Sequence, residues 1–270
     1  MLLLAYSIIS MLGLGLFFAL ILFIADKKLK VEEDPKIEKI ENTLVGLNCG
    51  ACGYPSCRIA AEAIVKGKAS VDACIVGGEA VAKAISSIVG KDFAKKAHKS
   101  TAVVHCGVDA SNRQINADYN GVNSCSAANL LMQGGMACKY GCLGLGDCAK
   151  VCPVDAITMK NNAPVIDIEK CVGCGKCVKA CPRHIISLRP YIPGERLVYV
   201  ACSNTEPGKQ VRAVCKVGCI ACNICQKLSE GVFEVNNNLS RVNLQKAKEK
   251  QTDWDTIIKK CPTHCILGIK

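Results

Sequence analysis

The chain has 270 residues, of which 21 are cysteine, four are histidine and only 4% are aromatic. So few aromatic side chains argue against one large core, and cysteines in separate runs predict several small units, each folded around its own metal centre. The formal net charge of +11 would suit a nucleic-acid-binding protein, but we expect no nucleic-acid partner because no arginine-rich run or aromatic-interleaved basic patch is present.

The first predicted element is a transmembrane helix at residues 1–25. Residues 2–25 carry no charged side chain, and a helix of that length reaches about 36 Å, enough to cross a hydrocarbon core of about 30 Å. The alternative is a cleaved signal peptide, which would need basic residues at its start and a small-residue cleavage site. Basic residues flank only the C-terminal end, at Lys27, Lys28 and Lys30. This predicts a single pass through the cell (inner) membrane, with the N-terminus outside and the other domains in the cytoplasm.

A charged linker, residues 26–47, is predicted to contain a short helix. Acidic residues up to Asp34, followed by Pro35, are typical of a helix start. Ile37, Ile40 and Leu44 follow at helical spacing. We expect this apolar stripe to pack against a neighbouring element.

The first cysteine group lies in a predicted domain of residues 48–100. Four thiolates could hold a structural zinc ion, but an x4 step and a distant fourth cysteine are unusual for a zinc ribbon. We therefore predict a [4Fe–4S] cluster. Its ligands follow the spacing Cys-x2-Cys-x4-Cys-x16-Cys: Cys49, Cys52, Cys57 and Cys74.

The most specific motif lies in a predicted two-cluster ferredoxin domain, residues 138–190, which follows a connecting segment, residues 101–137. A run of four cysteines ending at Cys181-Pro182 has the Cys-x2-Cys-x2-Cys-x3-Cys-Pro spacing of bacterial ferredoxins, in which the fourth cysteine ligates a second cluster. Upstream cysteines can ligate that second cluster. In their run, Leu145 stands at the position of the middle cysteine of the standard ferredoxin spacing. Two zinc knuckles are the alternative. We predict two [4Fe–4S] clusters, one held by Cys171, Cys174, Cys177 and Cys152, the other by Cys138, Cys142, Cys148 and Cys181.

An internal repeat predicts a degenerate ferredoxin-like domain at residues 191–270. A shift of 77 residues aligns Cys125 with Cys202, and likewise three further cysteine pairs. Under the same shift, Ser229 aligns with Cys152, so this copy is predicted to have lost one of its two clusters. The remaining cluster is predicted to use Cys219, Cys222, Cys225 and the remote Cys261.

Two further features belong to this domain. Cys265 competes with Cys261 as the remote ligand, but only Cys261 precedes a proline. A short helix is predicted over 253–260, where Trp254, Ile257 and Ile258 would fill the volume of the lost cluster.

Five thiols lie outside these four sets: Cys106, Cys125, Cys202, Cys215 and Cys265. They can be buried inert cysteines, or four of them, Cys106, Cys125, Cys202 and Cys215, can build a fifth centre. With four clusters of charge about −2 bound, the net charge falls to about +3. The basic side chains are then expected to balance the clusters and to form a docking surface for an acidic partner.

The uncharged N-terminal helix, the first cysteine group and the tandem ferredoxin motifs ending in Cys261-Pro-Thr-His-Cys265 closely resemble the B subunits of Rnf complexes, over essentially the whole chain. The first group alone is also similar to the iron–sulfur domain of corrinoid proteins. The resemblance implies an α+β chain of small iron–sulfur domains behind a transmembrane helix. Two complete ferredoxin modules and the first cysteine group would hold five clusters. The degenerate second module departs from this number, because it has lost one of its two clusters.

The resemblance also implies a function. Such proteins belong to an ion-translocating ferredoxin:NAD oxidoreductase that couples electron transfer to transport of sodium ions or protons. The implied partners are soluble ferredoxin and the other Rnf-type subunits, A, C, D, E and G.

The residues agree with an electron-transfer role. Thiolate-bound clusters perform one-electron chemistry, and no acid–base dyad, nucleophile–histidine pair or phosphate loop is evident. We expect this chain to relay electrons only. Two alternatives are an electron donor to a redox-sensing transcription factor and a methyl-carrying corrinoid protein, for whose cobalamin domain the sequence leaves no room.

Overall fold

The computed structural model describes residues 2–29, 34–92, 99–192 and 194–269. Lys30 and the acidic residues before Asp34 lie outside the described residues. The first helix, α1 (Leu2–Leu29), confirms the predicted N-terminal helix. Its segment Tyr6–Lys28 has a mean hydropathy of 2.7 and buries none of its surface against the rest of the described chain. By length and composition this segment is a candidate membrane span.

Three helices form the next domain: α2 (Pro35–Thr43), α3 (Cys57–Val65) and α4 (Gly78–Val89). Asp34 caps α2 by accepting a hydrogen bond from the backbone N–H of Lys36. The predicted apolar stripe of Ile37, Ile40 and Leu44 is buried against α3 and α4, so the predicted helix and its packing are confirmed.

The first ferredoxin module consists of seven elements and a short 3-10 helix (Met132–Gly135). The elements are β1 (Lys99–Val104), α5 (Cys125–Leu130), α6 (Asp147–Lys150), β2 (Ile157–Lys160), β3 (Ala163–Ile166), α7 (Lys176–Ala180) and β4 (Ile186–Tyr191). Strand β1 pairs antiparallel with β4 along its full length, and β2 pairs with β3 in a hairpin. Because β1 lies largely in the stretch predicted as a connecting segment, the module begins earlier than residue 138.

The second module repeats this plan with eight elements. They are β5 (Leu197–Val200), α8 (Gly208–Val214), α9 (Ile224–Leu228), β6 (Phe233–Asn236), β7 (Leu239–Val242), α10 (Leu244–Glu249), α11 (Trp254–Lys260) and β8 (Ile266–Ile269). Its first and last strands pair, as do β6 and β7. Helix α11 confirms the helix predicted from Asp253. Ile257 is buried, and Trp254 and Ile258 pack against the same core.

The two modules pack back to back through their outer strands. Side chains alternate along a strand, so Val198 and Val200 face the core of their own module. Leu197 and Tyr199 point the other way, into a shared apolar layer that includes Val103 of β1. The repeat extends to the backbone: the N–H of His105 donates to the carbonyl of Ile185 at 2.6 Å, and the N–H of Ala201 donates to that of Cys265 at 2.7 Å.

Candidate iron–sulfur centres

The first cavity brings together the four cysteines predicted for it. Cys49, Cys52, Cys57 and Cys74 line one cavity beside the apolar side of α2 and α3. The Asn48 side chain accepts a hydrogen bond at 2.7 Å from the backbone N–H of Cys57, and Ser56 caps the helix that Cys57 begins. Positive φ angles at Gly50 and Gly53 allow the loop to curl around the cavity.

The second predicted set also comes together. Cys152, Cys171, Cys174 and Cys177 line a cavity at the start of α7, beside residues of β1, β2 and β4. Backbone N–H groups point at two of the sulfurs, from Ala156 to Cys152 at 3.3 Å and from Ala102 to Cys171 at 3.4 Å. Such donors stabilise a thiolate in a buried site.

The third cavity differs from the prediction by one cysteine. Cys142, Cys148 and Cys181 line it as predicted, but the fourth thiol is Cys125. Cys138 lies instead in a separate cavity.

The position of Cys125 has a local cause in the Asp147 carboxylate. This group accepts hydrogen bonds from the Ser124 hydroxyl at 2.9 Å and from the backbone N–H of Ser126 at 3.0 Å. It thereby holds the start of α5 against the start of α6, which carries Cys148. Cys125 lies far before the ferredoxin spacing, so spacing alone carried no signal for it.

The cavity of the second module contains five thiols. Cys219, Cys222, Cys225, Cys261 and Cys265 line it. The Sγ atoms of Cys261 and Cys265 lie 3.6 Å apart. Hydrogen bonding with the Cys265 thiol lowers the pKa of Cys219 and of Cys261, whereas the pKa of Cys265 itself is raised.

The remaining cavity lies between the two modules. Its thiols are Cys106, Cys138, Cys202 and Cys215. The first two belong to the first module and the last two to the second. Every cysteine of the chain therefore lines one of five cavities.

Burial affects the ionisation of these thiols. It raises the pKa of Cys142 and of Cys177 to about 12, and that of Cys148 and of Cys202 to about 11. Because a metal ligand must be a thiolate, a bound cluster would compensate this cost and release protons as it forms.

The donor sets consist of thiols alone, the ligand type of [4Fe–4S] clusters and also of structural zinc. Zinc held by thiolates at about 2.3 Å would bring its sulfurs within about 4 Å of one another. Among the residues that the structure describes, no three His, Cys, Asp or Glu side chains are grouped closely enough to hold one metal ion. Each of the five cavities is instead lined by at least four cysteines, the ligand number of a [4Fe–4S] cluster.

Three family models match the cysteine-rich parts of the chain. Residues 44–76 match an Fe-S cluster model, residues 137–185 a 4Fe-4S dicluster domain, and residues 214–267 a 4Fe-4S single cluster domain of ferredoxin I.

Curated relatives extend the match to almost the whole chain. The B subunit of the Na(+)-translocating ferredoxin:NAD(+) oxidoreductase complex of Acetobacterium woodii is 39% identical over 96% of this chain and 77% of its own length. The B subunit of an ion-translocating oxidoreductase complex of Methanosarcina acetivorans is 35% identical over 96% of both chains. This chain belongs to the family of Rnf complex B subunits.

A third member of the family comes from Clostridium ljungdahlii. The B subunit of its proton-translocating ferredoxin:NAD(+) oxidoreductase complex is 37% identical over 97% of this chain and 91% of its own length. The resemblance predicted from the sequence is thus confirmed.

Proposed function

We propose that this Rnf-type B subunit is the electron-transfer component of a membrane-bound complex. It accepts electrons from reduced ferredoxin and relays them to partner subunits, ultimately to NAD or another acceptor, with coupled translocation of Na⁺ or H⁺. The relatives named as subunits of ferredoxin:NAD(+) oxidoreductase complexes support this assignment. The chain itself only relays electrons, and the other subunits carry the remaining chemistry.

The observation that carries the proposal is the succession of four-thiol cavities within one chain. When bound, [4Fe–4S] clusters supply one-electron transfer. The proposed ligands are Cys49, Cys52, Cys57 and Cys74; Cys152, Cys171, Cys174 and Cys177; Cys125, Cys142, Cys148 and Cys181; and Cys219, Cys222, Cys225 and Cys261.

Neighbouring cavities are close because the same short segments serve both. Cys148 on α6 and Cys152 just after it are four residues apart, a rise of about 6 Å along a helix. Cys177 and Cys181 repeat this arrangement around α7. Electron transfer slows steeply with distance, so shared segments favour passage from one centre to the next.

Electrons are proposed to enter beside Cys222. All 21 cysteines lie in the described part of the chain, and Cys222 alone among them is exposed. Residues 201–270 carry 11 basic and 6 acidic side chains, a balance that attracts an acidic ferredoxin. Exposed apolar side chains of Ile224 and Leu228 on α9 complete a surface suited to a transient protein contact.

Membrane vesicles from a strain that lacks this protein test the proposal. Complementation with the wild-type chain should restore oxidation of reduced ferredoxin, NAD reduction and ion uptake. Cys174→Ala should abolish all three, because it removes one ligand of a relay centre, whereas the control variant Lys160→Glu, at an exposed position on β2, should retain them. Ferredoxin oxidation at an unchanged rate without the protein would contradict the proposal.

A further inference from the structure

The cavity between the two ferredoxin modules has no place in the relay described so far. Cys138, Cys202 and Cys215 are each no more than 9% exposed, and Cys106 is half-buried. All four line one cavity, together with residues of both modules. Inert buried cysteines normally pack singly against other side chains.

The internal repeat places these thiols at matching positions. Cys106 comes two residues after the end of β1, and Cys202 comes two residues after the end of β5. Cys138 and Cys215 each open a Cys-Lys-x-Gly-Cys segment. Each module therefore contributes the same pair of thiols to its junction with the other.

Backbone N–H groups lie beside these sulfurs in both modules. Cys106 accepts a hydrogen bond from the backbone N–H of Cys142 at 3.4 Å, and Cys202 accepts one from that of Asn204 at 3.4 Å. The backbone groups of Val108, beside Cys106, and of Cys219, beside Cys202, also act to lower the pKa of these thiols.

The other two thiols also have donors. The side-chain amide of Asn204, itself 2% exposed, donates to Cys138 at 3.7 Å. The backbone N–H groups of Val217 and Gly218 lie beside Cys215. All four sulfurs thus lie in N–H-rich surroundings, which stabilise thiolates that bind a metal cluster.

The junction is held in place by direct contacts. The N–H of Gly107 donates to the carbonyl of Ala201 at 3.0 Å, and the Ser203 hydroxyl donates to the carbonyl of His105 at 3.0 Å. Lys139 and Glu206 form an ion pair of 2.7 Å across it. The four thiols are therefore brought together by packing of the protein itself.

We propose that Cys106, Cys138, Cys202 and Cys215 bind a fifth [4Fe–4S] cluster that bridges the two modules. The proposal rests on the proposed function, because it assumes that this chain binds [4Fe–4S] clusters and relays electrons through them. Cys106 accepts a hydrogen bond from the backbone N–H of Cys142, and the backbone of Cys219 lies beside Cys202. Cys142 and Cys219 are proposed ligands of the two flanking centres, so the fifth cluster would connect the relay across the module boundary.

Cluster counting on the anaerobically purified full-length chain tests this proposal. Native mass spectrometry of the wild type should give a mass with five clusters, and analysis should give about twenty iron and twenty sulfide per chain. This measurement needs no variant, so it stands even where a substitution prevents folding. A wild-type mass with four clusters and about sixteen iron would overturn the proposal.

Variants identify the ligands. Cys106→Ala, Cys215→Ala and their double variant should each lose the same one fifth of the iron, because one centre is removed in all three. Cys174→Ala combined with Cys215→Ala should lose two fifths, because two centres are removed, and the matched variant Cys265→Ala should lose none.

Two outcomes separate this proposal from the proposed function. If Cys106→Ala and Cys215→Ala leave the iron content unchanged while Cys174→Ala lowers it, the fifth centre is refuted and the relay of four centres stands. One zinc ion per chain that Cys106→Ala removes would also refute the fifth cluster.

Discussion

Alanine substitutions at Cys261 and Cys265 separate the ligand from its neighbour in the last cavity. Both thiols are buried and their Sγ atoms are 3.6 Å apart. We expect Cys261→Ala to lose about four iron atoms per chain, because the three nearby cysteines fill only three corners of a cluster. Cys265→Ala should leave the iron content unchanged.

The repeat explains why these neighbours differ. Cys261 corresponds to Cys181, since each precedes a proline and ends a short helix. Cys265 corresponds to Ile185. The carbonyl of Ile185 accepts from the N–H of His105, just after β1, and the carbonyl of Cys265 accepts from the N–H of Ala201, just after β5. The Sγ atom of Cys265 lies within hydrogen-bonding distance of that of Cys261, so we expect a Cys265 thiol to donate to the ligand thiolate beside it.

Cys265→Ala nevertheless has a measurable cost. Removal of a sulfur that is 3% exposed costs about 1 kcal/mol in packing, and the lost hydrogen bond costs about 1 kcal/mol more. We therefore expect an anaerobic thermal midpoint a few degrees below that of the wild type. Loss of a donor to the ligand thiolates should also shift the reduction potential of this cluster to more negative values.

Iron analysis, anaerobic thermal unfolding and protein-film voltammetry measure these effects. Cys174→Ala is the matched control, because it should lose four iron atoms from a different centre and leave this cluster's potential unchanged. Retained iron in Cys261→Ala with loss in Cys265→Ala would show that the ligand is Cys265. Loss in both variants would refute the assignment of one remote ligand.

Three further predictions concern other parts of the chain. Cys125→Ala should lose about four iron atoms by iron analysis, and an unchanged iron count would exclude Cys125 as a ligand. Lys227→Glu, on α9 and five residues after Cys222, should slow reduction by ferredoxin in stopped-flow experiments by about fourfold at low salt, and less at physiological salt. The control Lys160→Glu, on β2 of the other module, should have little effect, and equal slowing in both variants would argue against entry beside Cys222. Removal of residues 1–25 should release the chain from membranes in fractionation experiments with its full iron content, and iron loss would show that α1 supports a cluster domain.

Local patterns in the sequence predicted much of the fold. An uncharged run is sufficient to indicate α1, and the spacing of Ile37, Ile40 and Leu44 indicates α2. The helix predicted over 253–260, in the part of the second module that lacks cysteines, is α11, and the structure shows Asp253 as its cap. In each case the pattern and the structure it predicts lie in the same short stretch of chain.

The exchange of Cys125 and Cys138 could not be predicted in this way. It depends on contacts between distant segments, above all those that Asp147 makes with the start of α5. The shift of 77 residues aligned Cys125 with Cys202, whereas the strands show that Cys106 is the counterpart of Cys202. The two modules differ in loop length between the first strand and the Cys-Lys-x-Gly-Cys segment, so a single shift cannot align both.

The bounds of the helices set limits on how far each domain can lie from the bilayer. Helix α1 ends at Leu29 and α2 begins at Pro35, so the covalent connection reaches at most about 20 Å. The connection from Val89 to Lys99 reaches at most about 35 Å. A membrane-embedded α1 would therefore keep the start of the three-helix domain near the lipid headgroups, while the longer second connection allows the first ferredoxin module to begin farther from the bilayer surface.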